Sequence, residues 1–309
     1  MVTSEESKII NTNNNLSKEK MVNNAVVLSF FSSVIIVVIK SFACYKTGSM
    51  SIMSTMLDAF LDLMTSASNI MVIRFAMVPP NNEYRFGHYK IEDISVFTQS
   101  CVFLLSGIVS MLICTYKSYI GYSISENNLG IGIMTIVVMM NILLLAYQRY
   151  VIKKSNSLII KSDYVHYLSD IMSHIAVIIS LYFANMVLID YVFSMLIGAY
   201  IVYSAIELIK VSFYQLIDRE LDSESQNLVI KTLKKFPEVL GAHDLKTRKA
   251  GSKKFIQVHI ELDPNMTLYD AHDVSDKISD EISSILEDAE VIIHQDPFVM
   301  EKKYPYKVF

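Results

Sequence analysis

Two four-residue steps carry the chemistry. In "LDAFLDLMTS" Asp58 and Asp62, and in "VHYLSDIMSH" His166 and Asp170, place acids and an imidazole one helical turn apart inside runs of Met, Ile, Val, Leu and Phe. Residues spaced i,i+4 share a helix face, so each pair presents two donors in one direction. A charged side chain at mid-bilayer costs roughly 3 kcal/mol on insertion scales and faces an ion, a water-filled cavity or an opposite charge. Lys40 is the only cation in the first apolar segment and Lys161 sits near the end of the fifth, so neither is placed to neutralise three carboxylates. A metal ion is the simplest source of the missing charge. Three carboxylate oxygens and one imidazole nitrogen suit Zn²⁺ and accept Fe²⁺ or Cd²⁺, whereas Mg²⁺ and Ca²⁺ prefer all-oxygen shells. Interhelical hydrogen bonding would explain one such acid equally well; two pairs on separate segments favour the ion. His174 extends the line 166–170–174 as an extra ligand, a proton relay or a satisfied packing histidine.

The elements that must position these pairs are membrane spans. Of 309 residues, 52% are hydrophobic and only 19% charged, outside the range of an ordinary soluble domain. The apolar residues gather before about residue 210. A span needs about 20 mostly apolar residues, and six candidates run over 25–45, 51–77, 95–116, 129–148, 160–186 and 187–208. The short connection at 185–190 makes the last two an antiparallel hairpin. Basic residues Lys8, Lys18 and Lys20, then Arg74, Arg85 and Lys90, then Arg149, Lys153, Lys154 and Lys161 alternate with loops holding only Lys46 and Lys117. By the positive-inside bias both termini are cytoplasmic. The polar stretch 1–20 is no cleaved signal and reads as a short cytoplasmic tail before a transmembrane domain at 21–210. The net charge of −4 gives no reason to expect nucleic acid, and Cys44, Cys101 and Cys114 show no paired spacing.

Residues 211–309 are polar and read as helix, strand, strand, helix, strand: a small α+β domain of the ferredoxin-like kind. "DSESQNLVIKTLKKF" and "TLYDAHDVSDKISDEISSILED" are amphipathic helices. A hairpin turning around Ala250–Gly251 sets His243 opposite His259 on one face. His259 lies on the polar side of a strand whose apolar face is Ile256, Val258, Ile260 and Leu262, and His294 and Asp296 share a strand face. These residues, with His272 on the second helix, predict a second metal site.

The combination of six spans, DxxxD in the second, HxxxD in the fifth and this tail resembles the cation diffusion facilitator family. The strings "FGHYK", "HYLSD", "GAHDL", "FIQVH" and "VIIHQDP" resemble its bacterial zinc and ferrous-iron efflux branch. The resemblance implies a homodimer in the bacterial inner membrane that exports divalent cations in exchange for protons. It assigns Asp58, Asp62, His166 and Asp170 to the transport site, and His243, His259, His272, His294 and Asp296 to cytoplasmic sites at the dimer. It makes Lys90 and Asp218 an interlocking salt bridge near the membrane surface. Where that branch carries an Asp and two His in the loop after the second span, this chain has Asn81, Tyr84 and His88. Only His88 is a strong ligand, so the loop site is expected to be weak or absent.

The mechanism expected is alternating access by a carrier, not an enzyme. Metal binds deprotonated ligands, and protons compete for them on the far side, with His166 the natural coupling group. No GxxxxGK[ST] phosphate loop appears, which argues against ATP. A metal-gated sensor would not need intramembrane ligands, and a passive channel would use a weak, multi-ion path. A membrane metalloenzyme would need an open coordination position.

Overall fold

The computed structural model describes residues 4–47, 50–120, 128–182, 187–299 and 306–309. The expected connection at 185–190 falls partly outside them. The chain divides into two compact units, Glu19–Phe213 and a second made of Tyr214–Phe309 with the first turns of the N-terminal helix up to Lys18.

The larger unit is built on six helices: α1 (Ser4–Thr47), α2 (Met50–Ala76), α3 (Lys90–Ile120), α4 (Asn128–Ser155), α5 (Leu158–Tyr182) and α6 (Val187–Leu216). Helix is the only open-ended structure that satisfies every backbone group in lipid. The first helix starts at Ser4, so the stretch expected as a short tail is helical from there and runs into the first span. Among the described residues, five of the helices are long and apolar enough to cross a membrane. Helix α5 carries Lys161, Asp163 and Asp170 in its first half. Asn156 and Ser157 alone separate α4 from α5. Asn156 sits at φ 50° and its amide donates to the Ile152 carbonyl at 2.9 Å, the left-handed helix stop that Asn tolerates best after Gly.

Polarity in this unit runs inside out. Phe31, Val38, Leu61, Met71, Leu112 and Leu143 are exposed, as lipid contact requires, while Ser29, Ser33, Ser66, Asn69, Gln148, Ser162 and Asp163 are buried. One apolar cluster draws on all six helices through Val22, Ile73, Val96, Val151, Ile159 and Leu208. Small residues admit close approach between α3 and α6: a Cβ on Gly198 would strike the Met111 side chain, and one on Gly107 would meet Ile201 and Val202 at 3.0 Å.

A buried polar knot ties the helices together around Asp163. Ser29 Oγ and Gln148 Nε2 each donate to its Oδ2 at 2.7 Å, and Asn69 Nδ2 reaches Oδ1 at 3.5 Å. Gln99 Nε2 donates to Asn69 Oδ1 at 2.5 Å, and Ser162 Oγ to Gln99 Oε1 at 3.4 Å. A second knot shares Ser29: Tyr167 Oη and Ser33 Oγ both donate to its carbonyl, at 3.3 and 3.0 Å, and Ser33 Oγ lies 2.8 Å from Tyr167 Oη.

The smaller unit orders as α7 (Ser223–Leu233), β1 (Gly241–Ala250), β2 (Lys253–Leu262), α8 (Leu268–Ile285) and β3 (Ala289–Pro297), the order read from sequence. The sheet runs β1-β2-β3, with β1 and β2 antiparallel and β2 and β3 parallel. Ile256, Val258, Ile260 and Leu262 of β2 pack on Val274, Ile278 and Ile282 of α8. The hairpin turns at Gly251–Ser252, where Gly251 takes φ 54°. A bulge at Asp244–Leu245, with Asp244 at φ 51°, shifts the register so that Lys246 faces Gln257 while His243 faces His259. The segment Tyr306–Phe309 covers the outer edge of β1: Asp244 N donates to Tyr306 O and Val308 N to Ala242 O, both at 2.8 Å. Asp222 caps α7 by accepting from Ser225 N at 2.9 Å, and Thr267 caps α8.

Two predictions follow from these contacts. Gln148→Leu removes the amide shared by Ser29 and Asp163 and leaves a buried carboxylate short of a donor, a loss of about 1–3 kcal/mol that appears as a lower thermal midpoint in detergent. The Ser225 amide holds the Asp222 carboxyl below its ordinary range, against a smaller opposing push from burial. A depressed folded-state pKa gives stability that is full above the unfolded value of about 3.9 and fades as pH falls through the folded one. Asp222→Ala therefore costs about 1 kcal/mol at neutral pH, and hydrogen-exchange protection of the α7 amides in wild type and variant converges below about pH 4.

Candidate metal centres

In the helical unit, α2 and α5 bring Asp62, His166 and Asp170 together. His166 Nε2 lies 2.8 Å from Asp62 Oδ1 and 3.6 Å from Asp170 Oδ2, and one donor atom from each residue falls within 4.8 Å of the other two. The helical i,i+4 spacing sets His166 and Asp170 on one face of α5. The His166 ring stacks on Phe103 of α3, with centroids 5.0 Å apart and planes 2° from parallel, and meets Tyr167 edge-on at 5.5 Å. Phe103 therefore fixes the ring plane so that Nε2 points between the two carboxylates. Asp58 lies in α2 one turn before Asp62, and its side chain is outside the described residues.

A cavity opens beside this set, lined by Ser33, Lys40, Asp62, Asn141, Asp170 and His174. His174 Nδ1 contacts the Asp170 carbonyl, one turn earlier on its own helix, at 2.5 Å, which leaves Nε2 as the only nitrogen open to the cavity. Asn141 was not singled out in the sequence, since a lone Asn in "VVMMNILLLA" has no spacing partner. Asp163 was missed for a related reason: its partners Ser29, Asn69 and Gln148 come from three other helices.

In the smaller unit the two strand pairings line up a row of three histidines. His243 pairs with His259 across the antiparallel ladder, and His259 with His294 across the parallel one. Ring centroids are 5.1 Å apart for the first pair and 4.4 Å for the second. Asp296 joins them: its Oδ2 is 3.2 Å from His243 Nε2 and 3.0 Å from His259 Nδ1, and its Oδ1 is 3.4 Å from His294 Nε2. His243, His259 and Asp296 have donor atoms within 4.8 Å of one another. Burial pushes the Asp296 carboxyl up, but the hydrogen bond from His259 and the charges of His294, His259 and His243 outweigh it and hold it below the usual range. Asp244 stands 3.8 Å from His259 Nε2, and a hydrogen bond from Lys246 holds its carboxyl low.

Glu261 is the residue in this centre that the strand pattern hid. It sits on the otherwise apolar end of β2, is 4% exposed, and its Oε1 lies 3.1 Å from His243 Nδ1. That contact holds the ring with Nε2 directed at Asp296, the arrangement by which a carboxylate orients a metal-binding imidazole. Gly241 makes room for it, since a Cβ there would meet Glu261 Oε2 at 3.0 Å.

Four sequence-predicted residues stand apart from these groups. His272 is exposed on α8, 3.6 Å from Asp276, on the face opposite Val274, Ile278 and Ile282, and one chain does not bring it to the histidine row. His88 is buried between Phe75 and Tyr84, at ring distances of 4.7 and 4.6 Å, with Nδ1 3.4 Å from the Val78 carbonyl. Asn81 folds the loop before it by accepting from the amides of Glu83 and Tyr84 at 2.9 and 2.8 Å. Lys90 opens α3 in the larger unit, while Asp218, in the smaller, receives Arg248 Nη1 at 3.3 Å.

Because Glu261 orients His243, Glu261→Gln is expected to weaken metal binding at the histidine row by roughly 10–100-fold. Gly241→Ala should give part of the same loss by displacing the carboxylate. Calorimetric titration of the full chain with Zn²⁺, against a variant lacking His259, isolates this site.

Residues 26–217 match the family described as "Cation efflux transmembrane domain", and residues 221–298 match "Cation efflux protein, cytoplasmic domain". The chain is 38% identical over 273 residues to "Protein p34" of Rickettsia rickettsii (strain Sheila Smith), covering 88% of this chain and 90% of that one. It is 34% identical over 263 residues to "Cation-efflux pump FieF" of Salmonella newport (strain SL254), covering 84% and 87%. Among solved structures, the metal-bound C-terminal domain of the CzcD transporter from Thermotoga maritima is 35% identical, covers 24% of this chain and 87% of its own, and has a TM-score of 0.24. Intramembrane donors on α2 and α5, a helical domain and a three-stranded tail thus fall within one matched pair of domains, and the chain belongs to the cation efflux (cation diffusion facilitator) family of multi-pass membrane transporters, which are not enzymes.

Proposed function

We propose that this chain exports a divalent transition metal, Zn²⁺ or Fe²⁺ with Cd²⁺ accepted, from the cytoplasm in exchange for protons. The observation that carries the reading is the convergence of Asp62, His166 and Asp170 inside the helical unit, joined in sequence by Asp58 one turn earlier. Oxygen donors with a single imidazole nitrogen suit borderline metals. Each of these ligands must lose its proton to bind metal, so a site that opens alternately to the two sides trades metal for protons down a pH gradient. The Asp62–His166 contact at 2.8 Å supports this: in the metal-free arrangement a proton occupies the line between the donors that an ion would share.

The protein acts as a homodimer in a bacterial inner membrane with both termini cytoplasmic. The histidine row with Asp296 binds the same class of metal in the tail, and His272, exposed on α8, reaches it from the partner subunit. Lys90 and Asp218 form a salt bridge near the membrane surface, and His88 contributes packing without a loop metal site. A sensor reading fails to account for donors converging among apolar helices, and a compact set built on one imidazole suits a carrier better than a multi-ion channel.

The experiment is uptake of Zn²⁺, and anaerobically of Fe²⁺, into proteoliposomes under an imposed pH gradient. Uptake is expected to need the gradient and to fall to the protein-free background in Asp170→Ala. Flux unaltered by that substitution would remove the intramembrane site from the mechanism. The ratio of the two metal rates identifies the cargo.

A further inference from the structure

Lys40, 5% exposed, is the only lysine or arginine among the buried described residues. Contrary to the expectation from its place in the first apolar segment, it lines the cavity with Asp62, Asp170, His174 and Asn141, beside the carboxylates of a centre that must attract a divalent cation. A buried ammonium is tolerated only beside compensating charge, and the carboxylates that share its cavity are Asp62 and Asp170. A second oddity lies in the same cavity. Asn141 is 2% exposed, and its Oδ1 has no hydrogen-bond partner. A buried acceptor without a donor is destabilising and points to a donor that is present in another state.

We propose that Lys40 is a tethered stand-in for the cargo, shuttling between the transport-site carboxylates and Asn141. With the site empty, the ammonium neutralises Asp62 and Asp170 on the end of a flexible four-carbon stem. When metal arrives it takes the carboxylates, and the ammonium turns to donate to Asn141 Oδ1. The inference rests on the transport-site reading above and adds a charge rule to it. Three carboxylates and a divalent ion leave one net negative charge; Lys40 cancels it, so the loaded centre is formally neutral in a medium where net charge is costly. The same ammonium repels the ion, which keeps binding weak enough for release.

The test measures Cd²⁺ affinity of the full-length protein in detergent, with His243 and His259 replaced by Ala to silence the tail, and turnover in proteoliposomes. Lys40→Met removes the repulsion and is expected to bind Cd²⁺ about tenfold more tightly or better, with slower turnover as release becomes limiting. Asn141→Leu removes the resting place, returns the ammonium to the carboxylates and should weaken binding about tenfold. In the double variant the effect of Asn141→Leu should vanish, because there is no ammonium left to displace. Lys40→Arg should restore an affinity near wild type. Unchanged or weaker binding in Lys40→Met overturns the proposal; Lys40→Gln is measured in the same way if the Met variant does not fold. An Asn141→Leu loss that persists without Lys40 also overturns it and makes Asn141 a direct ligand. Asp170→Ala separates the two levels: if it binds Cd²⁺ like wild type, the transport-site reading itself fails, whatever Lys40 does.

Discussion

A carboxylate held among apolar helices must be answered from within reach, because lipid supplies neither water nor counter-ion. Much of the helical unit follows from that one constraint. Its inward faces carry Ser29, Ser33, Ser66, Asn69 and Gln148 while Phe31, Met71 and Leu143 look outward, the reverse of a soluble bundle. The interior is polar because Asp62, Asp163 and Asp170 are there, and the helices are held by the hydrogen bonds that those acids collect.

The acids are answered in two different ways, and the difference marks their roles. Asp163 is surrounded by neutral donors from α1, α2 and α4 at hydrogen-bonding distance, an arrangement that fixes a charge and gives an incoming cation no open ligand. Asp62 and Asp170 share one imidazole nitrogen and border a cavity. The tail solves an easier problem. Its histidines range from buried His243 to His294, whose side chain is 59% exposed, and Asp296 there is held low by imidazoles with solvent close by. Metal can bind that site without the helices having to move a charge through lipid.

The legible parts of this molecule were those written in local spacing. The i,i+4 pairs, the apolar blocks and the alternation in "FIQVHIEL" place Asp62, His166, Asp170 and the β2 core directly. The pairing of His243 with His259 was also readable, since a tight turn fixes an antiparallel register to within a residue. What escaped was everything set by long-range assembly. A parallel register is not fixed by any turn, so the alignment of His294 with His259 could not be counted out in advance. The bulge at Asp244 broke the simple count on the other side. Glu261 has no pattern of its own in β2, and its burial depends on Gly241 opposite it, which supplies the space for the carboxylate. Phe103 and Asn141 belong to helices with no chemical pattern of their own.

Helix α5 carries both the buried Asp163 and two of the site's three converging donors. Lys161, Asp163, His166 and Asp170 stand in the first half of α5, and any of them facing lipid would be costly. Three of its side chains are therefore committed: Asp163 to Ser29 and Gln148, Tyr167 to Ser33 and Ser66, and His166 to Asp62 and Phe103. Helices α1, α2, α3 and α4 stabilise it by supplying donors and a stacking ring. Its short link to α4 through Asn156 keeps it next to Gln148, the donor it most needs. A helix held by specific partners can be moved only by changing those partners. The partners of α5 thus fall into two groups, neutral donors that close around Asp163 and the carboxylates of Asp62 and Asp170 that share His166.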